Sequence, residues 1–278
     1  MNYSCVIIVP LYKEYKDLDE TERKSFCHCV KVFCDRDIAL LTYGELDLSP
    51  YLQQIDKDVA VAYFDKMCFT SIQSYNDLML SSDFYKRFIK YDYMLIYQLD
   101  AYVFEDKLDY WMSKNYDYVG APWFENYGSY EDGNQLWEVG NGGLSLRKVK
   151  FYYKLLSYRG VLYTGICVKG GFYHFIKSMA KTFGYHNTIA WHLKHIKASL
   201  NEDCFLTYYL RKITNKPTLL PSIPSPLEAI DFAFEKSPSY LYEMNGKKLP
   251  MGCHAFMKYE YEEFWSKYIC DEINSNNN

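Results

Sequence analysis

The sequence predicts an α/β fold with a mostly parallel central sheet flanked by helices. Three observations predict it. Apolar runs of strand length (residues 5–9, 37–42 and 59–64) are separated by stretches of helical periodicity. That alternation implies βαβ units. A further run, Tyr93-Met94-Leu95-Ile96-Tyr97, leads to a carboxylate, Asp100, after which Tyr102-Val103-Phe104 resumes the apolar pattern.

Cys5-Val6-Ile7-Ile8-Val9 reads as a buried strand closed by Pro10. Residues 21–33 read as a helix with a mixed polar face. Residues 37–42 and 59–64 give the second and third strands. Residues 71–89 are predicted as one helix, with Tyr75, Leu78, Met79, Phe84, Tyr85, Phe88 and Ile89 as its apolar stripe. The strand ending near Asp100 follows. In such sheets ligands bind beyond the carboxyl ends of the strands, so Pro10, Thr42, Asp65 and Asp100 are expected on one rim. Residues 109–114 read as a helix, 116–120 as a strand and 126–135 as a mobile loop. Residues 147–158 and 204–212 read as helices. The four prolines of 217–226 mark an extended connector. No repeat or linker divides the chain. One domain is expected over 1–270, followed by a disordered Asn-rich tail, 271–278.

The chain of 278 residues is long enough for a sizeable core. A net charge of -4 provides no global basic field for nucleic acid or anionic lipid. Nine cysteines, an odd number without a CxxC pair, argue against a disulfide framework and for a reducing compartment. The apolar stretch at residues 5–10 is too short for a signal peptide. No run approaches the roughly 20 residues of a membrane span. A cytoplasmic, soluble protein is expected. The 30 Tyr and 17 Phe residues suit half-buried packing positions or the stacking of sugars.

Several segments carry chemistry. Asp100 at a strand end suits a hard cation or a sugar hydroxyl. Gly140-Asn141-Gly142-Gly143 allows close approach of backbone to a ligand, or serves only a turn. A helix starting at 145–148 would add an anion-binding N-terminus. Trp137 and Glu138 lie just upstream. In Asn201-Glu202-Asp203, Asn201 is a good N-cap and the acids complement a helix dipole. Asp203 or Glu202 could equally be a general base for an acceptor hydroxyl. His254 follows a Gly-containing turn and could join a distant Asp in a mixed O/N metal site. His192 and His195 read as surface residues. His28 lacks zinc-ligand spacing and reads as structural.

Taken together, six segments resemble one family. They are residues 75–80, Gln98-Leu99-Asp100-Ala101, 117–123 (with Gly120-Ala121-Pro122-Trp123), 140–147, Glu202-Asp203 and Gly252-Cys253-His254-Ala255. The family is a bacterial one carried as a domain of unknown function and regarded as GT-A glycosyltransferases of polysaccharide gene clusters. The likeness runs over about residues 5–256.

The resemblance implies a GT-A-like, Rossmann-type sheet, a nucleotide-sugar donor and a divalent metal, Mn or Mg. Asp100 would match the metal- and diphosphate-facing acid, and His254 the histidine completing the metal site. Asp203, with Glu202 beside it, would stand where inverting enzymes keep their base. The chain departs from the family's paired acids, because Ala101 and Tyr102 follow Asp100. Pro10, Tyr12, Asp65 and Asp100 are then expected at the donor, and Trp123, Trp137, Asn141, Gly142 and Gly143 at the acceptor. The acceptor would be a glycan or lipid-linked glycan, with peripheral attachment to the inner membrane an option. Two rivals remain. A nucleotidyltransferase would carry a glycine-rich loop after the first strand, where this chain has Leu11-Tyr12-Lys13-Glu14-Tyr15. A non-catalytic carbohydrate-binding protein would suit the aromatic content and the single acid.

Overall fold

The protein is described by a computed structural model over residues 3–163, 176, 179–180, 182, 184–195 and 200–269. The expected tail, 271–278, lies outside the described residues. Strands β1 (Cys5–Pro10), β2 (Asp37–Thr42), β3 (Ala60–Tyr63) and β4 (Tyr93–Tyr97) are mutually parallel. They share a six-stranded sheet with β6 (Tyr118–Val119) and β9 (Leu144–Lys148), in the order β3-β2-β1-β4-β9-β6. β9 runs antiparallel to both of its neighbours. The predicted α/β fold with a mainly parallel central sheet is therefore what the chain forms.

β1 lies inside the sheet and has a layer on each face, so it must be apolar throughout. All six of its residues are buried. Ile7 and Val9 join Leu40 and Leu95 against Phe26, Phe33 and Trp111 on one face. Val6 and Ile8 join Met94 and Ile96 against Met79, Phe84 and Tyr152 on the other. The first helix, Glu20–Val32, starts at a capping box in which Asp19 and Glu22 exchange side-chain and backbone bonds.

Two expected helices differ from prediction. Residues 71–89 form two helices, Ile72–Met79 and Ser82–Arg87. The Ser81 hydroxyl accepts the Phe84 N–H at 3.1 Å and caps the second, ending the first as it does so. Residues 145–148 are not a helix start but the strand β9, and the next helix is Val149–Leu156. Leu144 and Leu146 must face the core, and pairing with β4 holds them there. The glycine-rich loop consequently leads into a strand and presents no helix N-terminus to an anion.

β5 (Ala101–Val103) belongs to a second sheet with β10 (Ala233–Phe234) and β11 (Gly252–His254), in the order β10-β11-β5. The chain leaves the large sheet at Tyr97 and turns through Gln98-Leu99-Asp100, where the Ala101 N–H donates to the Gln98 carbonyl at 2.9 Å. It then enters the small sheet. β7 (Ala121–Phe124) and β8 (Leu136–Gly140) form an antiparallel pair beside both. Among the described residues no helix is long and apolar enough to cross a membrane.

Candidate active site

Asp100, His254 and Glu235 meet at the end of the small sheet. β11 pairs antiparallel with β5, placing His254 opposite Ala101, the residue after Asp100. β11 also pairs parallel with β10, matching Phe234 with Cys253, so Glu235 is next in register beside His254. His254 Nε2 lies 3.2 Å from Asp100 Oδ1, and its Nδ1 lies 3.4 Å from Glu235 Oε1. Neither approach is aligned as a hydrogen bond. Burial alone would lower the imidazole pKa, but the two carboxylates raise it to about 10. For the Asp100 carboxyl, desolvation acts upward and is outweighed by His254, which holds it below the ordinary range.

The glycine-rich loop is shaped by what crosses it. A Cβ on Gly120 would lie 1.7 Å from the Gly140 carbonyl oxygen, and one on Gly140 would lie 1.7 Å from the Trp123 ring. This explains the two glycines flanking the β7–β8 pair. Asn141 has φ of 81°, a left-handed conformation that asparagine tolerates better than most residues. Its Oδ1 accepts the N–H groups of Gly143 (2.9 Å) and Leu144 (3.2 Å), closing the turn. Its carbonyl accepts the Tyr118 hydroxyl at 2.8 Å.

Behind the loop lies a buried ion pair. Arg147 Nη2 donates to Glu202 Oε1 at 2.7 Å, with side-chain exposures of 0% and 4%. Arg147 also donates to Ser145 Oγ (3.0 Å) and Tyr85 Oη (3.3 Å), leaving its charge well compensated. Glu202 opens a helical segment, Glu202–Cys204, that continues through a π-helical stretch, Phe205–Tyr209. Asn201 holds the N-cap position without a capping bond, its Oδ1 instead accepting from Asn76 Nδ2 at 3.3 Å. The next acid, Asp203, accepts the Asn141 N–H at 2.9 Å and the Cys204 N–H at 2.7 Å. Burial, and then the charge of Glu202, raise the Asp203 pKa to about 7.

These groups surround a cavity of about 580 Å³, within the usual range for ligand sites. Tyr12, Trp123, Asn141, Gly142, Gly143, Glu202, Asp203 and His254 line it, as sequence reasoning expected. A smaller hollow of about 120 Å³, lined by Pro10, Tyr12, Lys13, Glu22 and Asp100, adjoins it through Tyr12 and Gln98. Two expected residues stand apart. Asp65 lines neither hollow and caps a short helix by accepting the Met67 N–H at 2.8 Å. Trp137 also lines neither, packing edge-on against Tyr127, which does. Thr42 is fully buried at the end of β2. Glu235 was not singled out in the sequence, and Tyr75 and Arg147 entered only within a helix stripe and the family-like segments, without a role at the site. For Glu235 no local pattern could have signalled one.

Polar groups without aligned partners gather here. The Tyr75 hydroxyl (with Gln98 near it), Asn141 Nδ2 and both His254 nitrogens are buried and lack an aligned hydrogen bond, and all three residues line the large cavity. Among the described residues no three His, Cys, Asp or Glu side chains converge as a metal cage. The Asp100–His254 pair offers one carboxylate oxygen and one imidazole nitrogen as donors, and a cation there would have to displace the proton that the two carboxylates hold on the ring.

A family model described as "Protein of unknown function (DUF5672)" matches residues 58–254. No curated protein matches the chain. Among solved structures it is similar to a glycosyltransferase involved in glycosylation of the major capsid of PBCV-1, at 10% identity and TM-score 0.44, covering 96% of this chain and 98% of that one. It is also similar to mouse xyloside xylosyltransferase 1 in its apo form, at 10% identity and TM-score 0.45, covering 91% and 96%. A third is the glycosyltransferase GlyE of Streptococcus pneumoniae TIGR4, at 13% identity and TM-score 0.44, covering 91% and 55%. Likeness at this level leaves function to be argued from the residues.

Proposed function

The chain belongs to the family described as "Protein of unknown function (DUF5672)", and we propose that it is a GT-A-type glycosyltransferase. It would move a sugar from a nucleotide-sugar donor to a glycan or lipid-linked glycan acceptor, with inversion, in surface polysaccharide synthesis. It would work in the cytoplasm, with peripheral attachment to the inner membrane where the acceptor is lipid-linked. One observation carries the reading. The cavity that holds the Asp203 carboxylate also gathers polar groups of Tyr75, Asn141 and His254 that lack an aligned hydrogen bond, with Gln98 near the first and two carboxylates flanking the last. Such a lining matches a ligand rich in hydroxyls and phosphates, because a buried polar group left without a partner, as Asn141 Nδ2 is, costs about 1–3 kcal/mol.

Pro10 and Tyr12 would border the nucleotide and Asp100 the diphosphate end. Asp100 and His254 would hold a divalent metal, Mn or Mg, whose charge neutralises the leaving diphosphate. Asp203, with a pKa of about 7, suits a base at neutral pH. It would take the proton from the acceptor hydroxyl. That oxygen bonds to the anomeric carbon as the bond from carbon to the diphosphate oxygen breaks, and the nucleoside diphosphate leaves. Glu202, paired with Arg147, keeps the loop and Asp203 in place. Trp123 and the Asn141–Gly143 loop would shape the acceptor side.

The test is a thermal-shift screen with UDP, GDP, CMP and dTDP sugars, each with Mn²⁺ or chelator. A ligand at 100 times its Kd adds about 2.7 kcal/mol. A shift with one nucleotide class, lost in Asp100→Ala, supports the reading. Absence of a shift with every donor overturns it.

A further inference from the structure

We propose that Glu235 is a positioning residue for His254. It would hold the Nδ1 side of the ring so that Nε2 is presented to a divalent cation shared with Asp100. The inference rests on the reading of Asp100 and His254 as cation ligands. Three observations carry it. The parallel register of β10 and β11 sets Glu235 beside His254, on the side away from β5 and Asp100. The two ring nitrogens therefore face different carboxylates, Nε2 at 3.2 Å and Nδ1 at 3.4 Å. Finally, Gly143 passes so close to the ring that a Cβ there would lie 1.9 Å from Nε2, so the imidazole is confined on that side.

A histidine that gives one nitrogen to a cation keeps its proton on the other, and that N–H needs an acceptor to fix the ring. Glu235 Oε1, 3.4 Å from Nδ1, is at the edge of hydrogen-bond reach and is the carboxylate oxygen beside that nitrogen. Glu235 is mostly buried and bonds no Lys or Arg among the described ion pairs, so its carboxylate is available for this task.

The experiment is a Mn²⁺ titration of the full chain with inorganic pyrophosphate, read by the EPR signal of free Mn²⁺. The proteins are wild type, Glu235→Gln, Glu235→Ala and Asp100→Ala. Glu235→Ala is expected to weaken Mn²⁺ about 10- to 100-fold, the range for loss of such a partner. Glu235→Gln, whose amide oxygen still accepts from Nδ1–H and whose shape is retained, is expected to recover most of that loss. A Glu235→Ala variant that binds Mn²⁺ as wild type does overturns the proposal. So does a Gln variant as weak as Ala, or a wild-type protein that does not bind Mn²⁺. No nucleotide sugar is used. Glu235-dependent Mn²⁺ binding without any donor binding would therefore sustain this inference while removing the transferase reading.

Discussion

Gly143 and His254 compete for one volume: a Cβ built on the glycine would lie 1.9 Å from Nε2 of the imidazole. Gly143→Ala must therefore displace the ring from between Asp100 and Glu235. Overpacking of this kind costs about 1–3 kcal/mol. The expected result is a lowered Tm together with loss of the Mn²⁺-dependent shift. Gly44→Ala, where nothing lies within 4 Å of the added Cβ, serves as the control and should keep that shift.

Asp203 gives two pH trends of opposite sign. Its folded-state pKa, about 7, lies above its ordinary value, so the fold favours the protonated form. Its contribution to stability is full below the ordinary carboxylate pKa, falls progressively as pH rises from there to about 7, and is lost above that. The base form fills around pH 7, at the upper end of that interval, so transfer should rise with pH there. Asp203→Asn should flatten both trends and lower kcat by about 10²- to 10⁴-fold. Chemical denaturation and initial rates across pH 5–9 would check the pair.

The Arg147–Glu202 pair should be asymmetric in its response. Arg147→Met leaves a buried carboxylate unpaired and is expected to cost about 3–5 kcal/mol. The double variant Arg147→Met/Glu202→Gln should recover part of that loss, because no charge is then stranded. Urea denaturation of the two single variants and the double variant measures the coupling.

Asp65 and Asp100 both follow strand ends, yet they should behave differently. Asp65 only caps a short helix, so Asp65→Ala is expected to cost about 0.5–2 kcal/mol and leave donor affinity unchanged. Asp100→Ala should abolish the Mn²⁺-dependent part of donor binding with little loss of stability, since its side chain is 50% exposed. Isothermal titration with the donor found by the screen separates the two.

Some of this was readable along the chain and some was not. The strand Tyr93–Tyr97 was legible because a strand covered on both faces must be an unbroken apolar run. Asp100 and Asp203 stood out because each borders an apolar run, Asn141 because it sits among three glycines, and His254 because it follows a Gly-containing turn. Ser145–Lys148 misled because its helical or extended state is decided by pairing with β4, some fifty residues earlier. The break at Ser81 depends on one hydroxyl choosing the Phe84 N–H. Glu235 was invisible because only the register of β10 on β11 sets it beside His254.

The passage of the chain from one sheet to the other at Asp100 has a consequence for how the protein is made. A nascent chain extended as far as Lys148 already holds all six strands described in the larger sheet. At that stage Ala101–Val103 has neither of its sheet partners, since Ala233–Phe234 and Gly252–His254 have not been synthesised. The larger sheet can thus form before Asp100 has a histidine beside it. The Asp100–His254 pair is completed only when the last of the described strands docks, so a chain terminated before it would lack half of the proposed site.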